Sequence, residues 1–269
     1  MGKMLRVGLA GLGAVGMVVA RRLEAGIPGL SLTAVAVRDL DKAKRALPRI
    51  GNGITATEPG GLAALADVVV EGLPPSLFLA VAEPTIEAGR IFMPLSVGQL
   101  LVHPRLVERA RETDARILVP TGALLGLDAV RAAAEGEIRE VRMVTRKPPA
   151  GLEGAPYLRE QGISLAGLKE PRKVFDGTAR EGAKGFPANV NVAAALSLAG
   201  VGPDKTRLEI WADPGVSRNI HRIDVDADSA RFSMQIENVP SENPRTGRIT
   251  ALSTIAALRG LVSELRVGT

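Results

Sequence analysis

A glycine-spaced turn near the amino terminus constrains the fold of this chain more than any other sequence feature. It follows the apolar run Leu5–Ala10 and precedes a helical segment that includes Met17. Its glycines follow the spacing G-x-G-x-x-G and are Gly11, Gly13 and Gly16. In such a turn the first glycine permits a tight bend, the second lets the backbone approach a pyrophosphate, and the third lets the helix pack on the strand. The pattern therefore predicts a strand, a phosphate-binding turn and a helix whose first N–H groups face the phosphates.

We expect a dinucleotide to bind at this turn. The residues expected to contact it are Gly11, Gly13, Ala14, Val15 and Gly16. At the end of the second strand, an acid would bind the ribose 2′-hydroxyl of NAD, whereas an arginine would accommodate the 2′-phosphate of NADP. Both residue types occur here, as Arg38 and Asp39. The sequence thus predicts NAD or NADP as the cofactor and leaves the preference open; a surface ion pair is the alternative for these two residues.

Strand-like and helical segments alternate through the first 122 residues. The strand-like runs are Leu5–Ala10, Ser31–Val37, Asp67–Glu71, Ile91–Leu95 and Arg116–Val119. This spacing is typical of βαβ units, in which helices cover both faces of a parallel sheet. We therefore predict an α/β fold whose N-terminal part is a doubly wound (Rossmann) parallel sheet.

The pattern changes after about residue 122 and predicts an α+β domain with a mostly antiparallel sheet. Helices are expected at Gly122–Glu135 and Ala188–Ala199, and a stretch punctuated by Gly and Pro extends to about residue 176. The strand-like runs are Glu140–Arg146, Arg207–Ala212, Asn219–Val225 and Ala230–Glu237.

The closing segment, Ile249–Leu265, predicts an amphipathic helix that packs back on the first domain. A chain of 269 residues is long enough for two domains. We expect residues 1–122 with 246–269 to form a dinucleotide-binding domain, and residues 123–245 to form the second domain.

Composition excludes several kinds of chemistry. The chain has no Cys and only two His, so disulfides, thiolate nucleophiles, iron–sulfur clusters and Cys-based zinc sites are excluded. Asp224, Asp226 and Asp228 alternate like calcium ligands, but the glycine and glutamate that a calcium loop requires further on are absent. We therefore expect no metal site and interpret these three residues as part of a polar hairpin turn.

Charge and hydropathy exclude two classes of partner. The formal net charge is +5, and aromatic residues, which stack on bases, make up only 3% of the chain. No apolar stretch reaches the roughly 18 residues that cross a bilayer. We expect a cytoplasmic protein that binds a small molecule and neither nucleic acid nor a membrane.

His221 is the candidate catalytic residue. It lies in the strand-like run Asn219–Val225, and a histidine with an ordinary pKa of ~6.5 can accept a proton near neutrality. In an extended segment Asn219 shares its face, whereas Arg222 points away. A half-buried strand histidine without a catalytic role is the alternative.

Several strings taken together resemble the L-aspartate dehydrogenase family. Besides the glycine turn they are Leu95–Gly98, Pro120–Asp128, Thr145–Pro149, Phe186–Ala195, Asp213–Pro214, Arg218–His221, Ile236–Asn238 and Glu242–Pro244. The strings within Phe186–Ala195 and Arg218–His221 are far more specific than the glycine turn.

The resemblance implies a homodimeric enzyme that oxidises L-aspartate with NAD or NADP to iminosuccinate, which water converts to oxaloacetate and ammonia. In the family the imine can also feed NAD biosynthesis. The family's catalytic histidine matches His221, and its cofactor contacts match Ala123 and Asn191. Catalysis, substrate binding and dimerisation are thus expected of residues 123–245. Arg38 departs from the acid that many relatives have at this position.

The two carboxylates of such a substrate require cations and polar groups. The candidates are Lys147, Lys184, Arg218 and Asn219. His221 is expected to take a proton from the substrate ammonium, which frees the lone pair that forms the C=N bond. Two alternatives remain: a related two-domain NAD(P)-dependent reductase of the dihydrodipicolinate or homoserine type, and a non-catalytic dinucleotide sensor.

Overall fold

The structure is a computed structural model that describes residues 4–187, 190–241 and 247–268. The chain divides into two compact units. Met1–Pro120 and Thr250–Arg266 form the first, and Thr121–Ile249 and Val267–Thr269 form the second. No helix in the described part of the chain is both long and apolar enough to cross a membrane.

The first unit is built on a six-stranded parallel sheet. Its strands are β1 (Leu5–Ala10), β2 (Leu30–Ala36), β3 (Thr55–Ala56), β4 (Val68–Glu71), β5 (Ile91–Pro94) and β6 (Arg116–Ile117). Their order is β3-β2-β1-β4-β5-β6, and every pairing is parallel. The order reverses between β1 and β4, which creates the switch point at which ligands of such sheets bind. The predicted doubly wound sheet is confirmed.

Helices follow the strands of this sheet along the chain. They are α1 (Ala14–Glu24), α2 (Leu40–Ala46), α3 (Leu62–Leu65), α4 (Phe78–Glu87), α5 (Gly98–Val102) and α6 (Arg105–Glu112). All residues of β4 are buried, as are Val7 and Leu9 of β1. This burial explains the apolar runs, because a central parallel strand is covered on both faces.

The second unit carries a five-stranded sheet. Its strands are β7 (Ile138–Lys147), β8 (Arg172–Thr178), β9 (Thr206–Ala212), β10 (Asn219–Ala227) and β11 (Arg231–Asn238). Their order is β11-β10-β7-β9-β8; only β7 and β9 pair in parallel. The predicted mostly antiparallel sheet is therefore confirmed, and so is the hairpin that joins β10 to β11. The helices of this unit are α7 (Leu127–Ala133), α8 (Pro156–Glu160), α9 (Ala179–Gly185) and α10 (Asn191–Ala199).

Two parts of the second unit differ from the sequence-based prediction. The helix predicted to start at Gly122 starts at Leu127, because Gly122 and Gly126 adopt φ of 68° and 63°, outside the range of a right-handed helix. The strand β8 and the helix α9 were not predicted. The predicted start of the helix Ala188–Ala199 lies outside the described residues, and its described part begins at Asn191.

The last helix, α11 (Ile249–Gly260), belongs to the first unit from Thr250 onward. Ile255 and Leu258 are buried in the same apolar cluster as residues of β1 and β2. The chain thus returns to the first unit in this helix. The helix ends at Gly260, before the predicted Leu265.

Candidate active site

The glycine turn has the shape that its spacing predicts. Gly11 adopts φ of 96°, and a Cβ atom on it would lie 2.8 Å from the carbonyl oxygen of Gly72. A Cβ atom on Gly16 would lie 2.0 Å from the carbonyl oxygen of Gly11. A Cβ atom on Gly13, by contrast, would have no described atom within 4 Å. Two of the glycines are thus required by the turn, and the third borders open space in which a phosphate can approach the backbone.

Helix α1 begins directly after this turn, with Ala14 and Val15 as its first residues. No acidic side chain lies in its first turn, and the residue before it, Gly13, has no side chain to cap it. The first N–H groups of a helix have no partner within the helix and carry the positive end of its dipole. The amino end of α1 therefore suits an anion, and the residues of the turn fit a dinucleotide pyrophosphate.

Arg38 and Asp39 follow β2, and both side chains are exposed. Asp39 precedes α2 and caps it, since Oδ1 accepts a hydrogen bond of 2.9 Å from the backbone N–H of Lys42. This bond occupies one carboxylate oxygen of Asp39. The guanidinium of Arg38 is exposed beyond the end of the strand.

His221 lies on the buried face of the second sheet, and only 2% of its surface is exposed. It is paired with Thr145 across the β7–β10 ladder, and its Nδ1 lies 3.1 Å from Thr145 Oγ1. Burial, followed by the positive charge of Lys147, lowers the pKa of His221 from 6.5 to about 3. The imidazole is therefore neutral near pH 7, and Nδ1 is the ring nitrogen that faces Thr145.

Lys147 and Asn219 lie beside this histidine. Lys147 ends β7 and is buried on the same face as Thr145, and Asn219 starts β10 and is buried on the face of His221. A Cβ atom on Gly151 would lie 3.9 Å from Lys147 Cβ and 4.0 Å from Asn219 Oδ1. The structure thus brings together a neutral imidazole, a buried ammonium and a buried amide. Such a set can bind a carboxylate and accept a proton from an ammonium group.

The other two candidate cations are placed differently. Arg218 is exposed immediately before β10, and Lys184 is exposed in the last turn of α9. Both side chains thus lie on the surface of the second unit, whereas Lys147 is buried. Because Arg222 is exposed while Asn219 is buried, β10 alternates as the sequence predicts.

The two cofactor contacts implied by the resemblance lie in the second unit. The carbonyl oxygen of Ala123 accepts a hydrogen bond of 2.9 Å from Asn238 Nδ2. Asn191 is half-buried and is the first residue of α10. The string Glu242–Pro244 and the residues Ala188 and Asn189 lie outside the described residues.

Sequence reasoning missed two polar residues near His221. Thr145 could have been found from its spacing, because it stands two residues before Lys147 and therefore shares its face of the strand. Asn238 is buried and pairs with Asn219 across the β10–β11 ladder. Its Oδ1 has no hydrogen-bond partner among the described residues. Finding Asn238 required the register of the hairpin.

The three alternating aspartates do not form a metal centre in the described structure. Asp224 pairs with Arg222 at 2.9 Å, and Asp226 pairs with Arg139 at 3.4 Å and with Arg231 at 3.3 Å. Within the described ranges no group of three or more His, Asp or Glu side chains is placed to hold a metal ion.

The match to known families covers both units. Residues 11–120 match the NAD-binding domain of homoserine dehydrogenase, and residues 128–261 match the C-terminal domain of aspartate dehydrogenase. The chain is 56% identical over 265 residues to an L-aspartate dehydrogenase of Bradyrhizobium diazoefficiens, which covers 98% of this chain and 94% of that protein. The chain belongs to the L-aspartate dehydrogenase family. A second relative, L-aspartate dehydrogenase 3 of Bordetella bronchiseptica, is 51% identical and covers 98% of each chain.

A solved member of the family supports the fold. The crystal structure of aspartate dehydrogenase from Thermotoga maritima covers 98% of this chain and 99% of its own, with a TM-score of 0.73 and 24% identity. The match to the NAD-binding domain of homoserine dehydrogenase spans residues 11–120. The family therefore accounts for both units, and the cofactor is a nicotinamide dinucleotide, NAD or NADP.

Proposed function

We propose that this chain oxidises L-aspartate with NAD or NADP to iminosuccinate, which water converts to oxaloacetate and ammonia. Identity of 56% to an L-aspartate dehydrogenase along 98% of the chain is the observation that supports this most strongly. The buried cluster of His221, Lys147 and Asn219 agrees with it, because oxidation of an amino dicarboxylate needs a base and a cation close together.

Each unit has a separate task in this proposal. Residues 1–122 with 246–269 bind the dinucleotide, and residues 123–245 bind substrate and carry catalysis. The glycine turn holds the pyrophosphate through the backbone of Gly13 and the amino end of α1. The nicotinamide, when bound, supplies the hydride acceptor. Ala123 and Asn191 are proposed as further cofactor contacts.

His221 is proposed as the general base. The bound substrate amine is an ammonium ion, and its N–H bond must break before the lone pair can form the C=N bond. Nε2 of the neutral imidazole takes this proton while the Cα–H bond gives up its electron pair as hydride. After this proton is released to solvent, the neutral imidazole can accept a proton from the water that attacks the imine carbon.

Lys147 and Asn219 are proposed to bind a substrate carboxylate. A carboxylate beside Lys147 offsets the charge that lowers the pKa of His221. This offset opposes only the smaller cause, because burial lowers the pKa of His221 more than the charge of Lys147 does. Arg218 and Lys184, which are exposed, are proposed only as secondary contacts of the second carboxylate.

We further propose that the protein is a cytoplasmic homodimer joined through the outer face of the second sheet. Trp211, Ile220 and Val144 line a depression of about 490 Å³ on this face. The arginines around it are paired with acids, as in Arg146–Asp213 at 3.2 Å. Paired charges around aromatic and aliphatic side chains are typical of a protein–protein interface. In a dimer with a two-fold axis, the second copy presents the same surface, so this face would pack against its own copy.

The test is a screen of amino acids against NAD and NADP, followed at the absorbance band of the reduced nicotinamide. We expect turnover with L-aspartate and none with homoserine. Turnover with another substrate alone would support a related reductase instead. Binding of cofactor without turnover of any amino acid would support a dinucleotide sensor. Light scattering of the same sample gives the oligomeric state.

A further inference from the structure

Glu71 is a buried carboxylate at the ligand-binding edge of the first sheet. It is the last residue of β4, and 0% of its surface is exposed. In the ladder it lies between Ala10 of β1 and Pro94 of β5. Doubly wound sheets bind their ligands outside this carboxyl edge. Burying a charge is costly unless it is well hydrogen-bonded, so the presence of Glu71 here requires a reason.

Three hydrogen bonds tie the carboxylate to two different loops. Oε1 accepts from the backbone N–H of Leu73 at 2.9 Å and from the hydroxyl of Ser96 at 3.1 Å. Oε2 accepts from the backbone N–H of Ser96 at 3.1 Å. Leu73 belongs to the loop after β4, and Ser96 to the loop after β5. One side chain thus holds the two loops together.

The loop after β4 also packs against the glycine turn. The N–H of Gly72 donates to the carbonyl oxygen of Ala10 at 2.9 Å, immediately before the turn. A Cβ atom on Gly11 would lie 2.8 Å from the Gly72 oxygen and 3.1 Å from Leu73 Cδ2. A shift of Gly72 or Leu73 would therefore displace the turn that is proposed to hold the pyrophosphate.

We propose that Glu71 is a positioning residue for the cofactor, which fixes the loops after β4 and β5 against the glycine turn without contacting the substrate. The inference rests on the proposed function, because it assumes a nicotinamide dinucleotide at this edge. The ionised carboxylate is the stronger acceptor for these three hydrogen bonds. Burial is the largest influence on the pKa of Glu71 and raises it above the ordinary value, although the hydrogen bonds with Ser96 and Leu73 partly oppose this shift. Acid that protonates Glu71 would therefore loosen both loops.

The decisive variant is Glu71→Gln, which keeps the size of the side chain and turns one acceptor into a donor that faces N–H groups. We expect the dissociation constants of NADH and NADPH, measured by fluorescence titration, to rise about tenfold, as for the loss of one charge-assisted hydrogen bond. The KM for the cofactor should rise with them, whereas the KM for L-aspartate should not change.

Asp67→Asn is the matched control. Asp67 precedes the same strand at the opposite edge of the sheet, and its carboxylate accepts from the backbone N–H of Arg6 and from Arg6 Nη2, each at 2.9 Å. Its loss should lower the midpoint of thermal unfolding as Glu71→Gln does. Cofactor affinity should stay at the wild-type value, because ligands do not bind at the amino edge.

The outcomes separate the inference from the proposed function. Wild-type protein that binds neither NADH nor NADPH would refute the proposed function. If the wild type binds cofactor and a folded Glu71→Gln variant binds it equally well, the role of Glu71 is overturned while the proposed function stands. The same conclusion follows if Asp67→Asn loses as much cofactor affinity as Glu71→Gln. If Glu71→Gln does not fold, Ser96→Ala removes only the hydroxyl donor. It should weaken cofactor binding about threefold, and unchanged affinity there would equally overturn the role.

Discussion

Thr145 Oγ1 lies 3.1 Å from His221 Nδ1, across two neighbouring strands of one sheet. A histidine that accepts a proton at Nε2 carries its own proton on Nδ1, and the threonine oxygen can accept the bond from that N–H. Thr145 would thereby select the tautomer that the proposed mechanism needs and would hold the ring in place.

Thr145→Val tests this relationship, because it keeps the shape of the side chain and removes the oxygen. We expect kcat to fall about tenfold, which corresponds to the loss of one hydrogen bond. Thr145→Ser, which retains the hydroxyl, should recover most of the rate. Wild-type kcat and an unchanged pH profile in Thr145→Val would show that the hydroxyl does not set the tautomer.

His221→Ala should reduce turnover by about 10² to 10⁴, the usual effect of losing a general base. Cofactor affinity, measured by titration, should be retained. His103→Ala is the matched control: His103 stacks on Phe78 in the first unit, with ring centroids 6.2 Å apart, and should leave turnover unchanged. An equal effect of both substitutions would count against a specific role of His221.

The pKa of His221 predicts a loss of stability in acid. The folded value is about 3 and the ordinary value is 6.5, so between these values the unfolded chain binds more protons than the folded chain. The free energy of unfolding therefore falls as the pH is lowered through this window, by up to about 1.4 kcal/mol per pH unit. Urea unfolding at a series of pH values should show a shallower fall for His221→Gln than for wild type. Parallel curves would mean that the histidine does not titrate in this way.

Lys147→Met should raise the KM for L-aspartate about 10-fold to 100-fold, because a charged partner of the substrate is lost. It should also move the acid limb of the kcat/KM profile to higher pH, since the ammonium contributes to the lowered pKa of His221. Lys205→Met, at an exposed lysine of the same unit, should change neither quantity. A KM for aspartate that is unaffected in Lys147→Met would assign carboxylate binding to other cations.

Arg38→Asp should lower the ratio of kcat/KM for NADP to that for NAD about tenfold, as expected for the loss of a cation that meets the 2′-phosphate. Arg45→Asp makes the same charge change at an exposed position of the adjacent helix α2 and should leave the ratio unaltered. If both variants shift the ratio equally, the effect is one of net charge and not of contact.

The sequence was informative wherever structure follows from local pattern. The strands of the first sheet are nearly continuous apolar runs because they are covered on both faces. The strand β8 was missed because Gly177 and four charged or polar neighbours weaken its pattern. Helix α9 could have been found, since Thr178 and Glu181 form the capping box at its start.

For the candidate site, period-two alternation was enough to place Asn219 on the face of His221. It could not show that Lys147 is buried whereas Arg218 and Lys184 are exposed, because exposure depends on how distant segments pack. Glu71 escaped notice for the same reason, because its partner Ser96 lies 25 residues away in the chain. Spacing alone places Thr145 on the same face of its strand as Lys147, but its contact with His221 joins residues 76 apart, and no local pattern carries that information.

The position of α11 affects how the molecule can be assembled during synthesis. Ile255 and Leu258 complete the apolar interior around β1 and β2, yet they leave the ribosome some 250 residues after β1 begins. The apolar interior of the first unit therefore stays incomplete until the whole of the second unit has been translated. A stop codon that removed only the last turns of the protein would therefore damage the half of the enzyme that is made first.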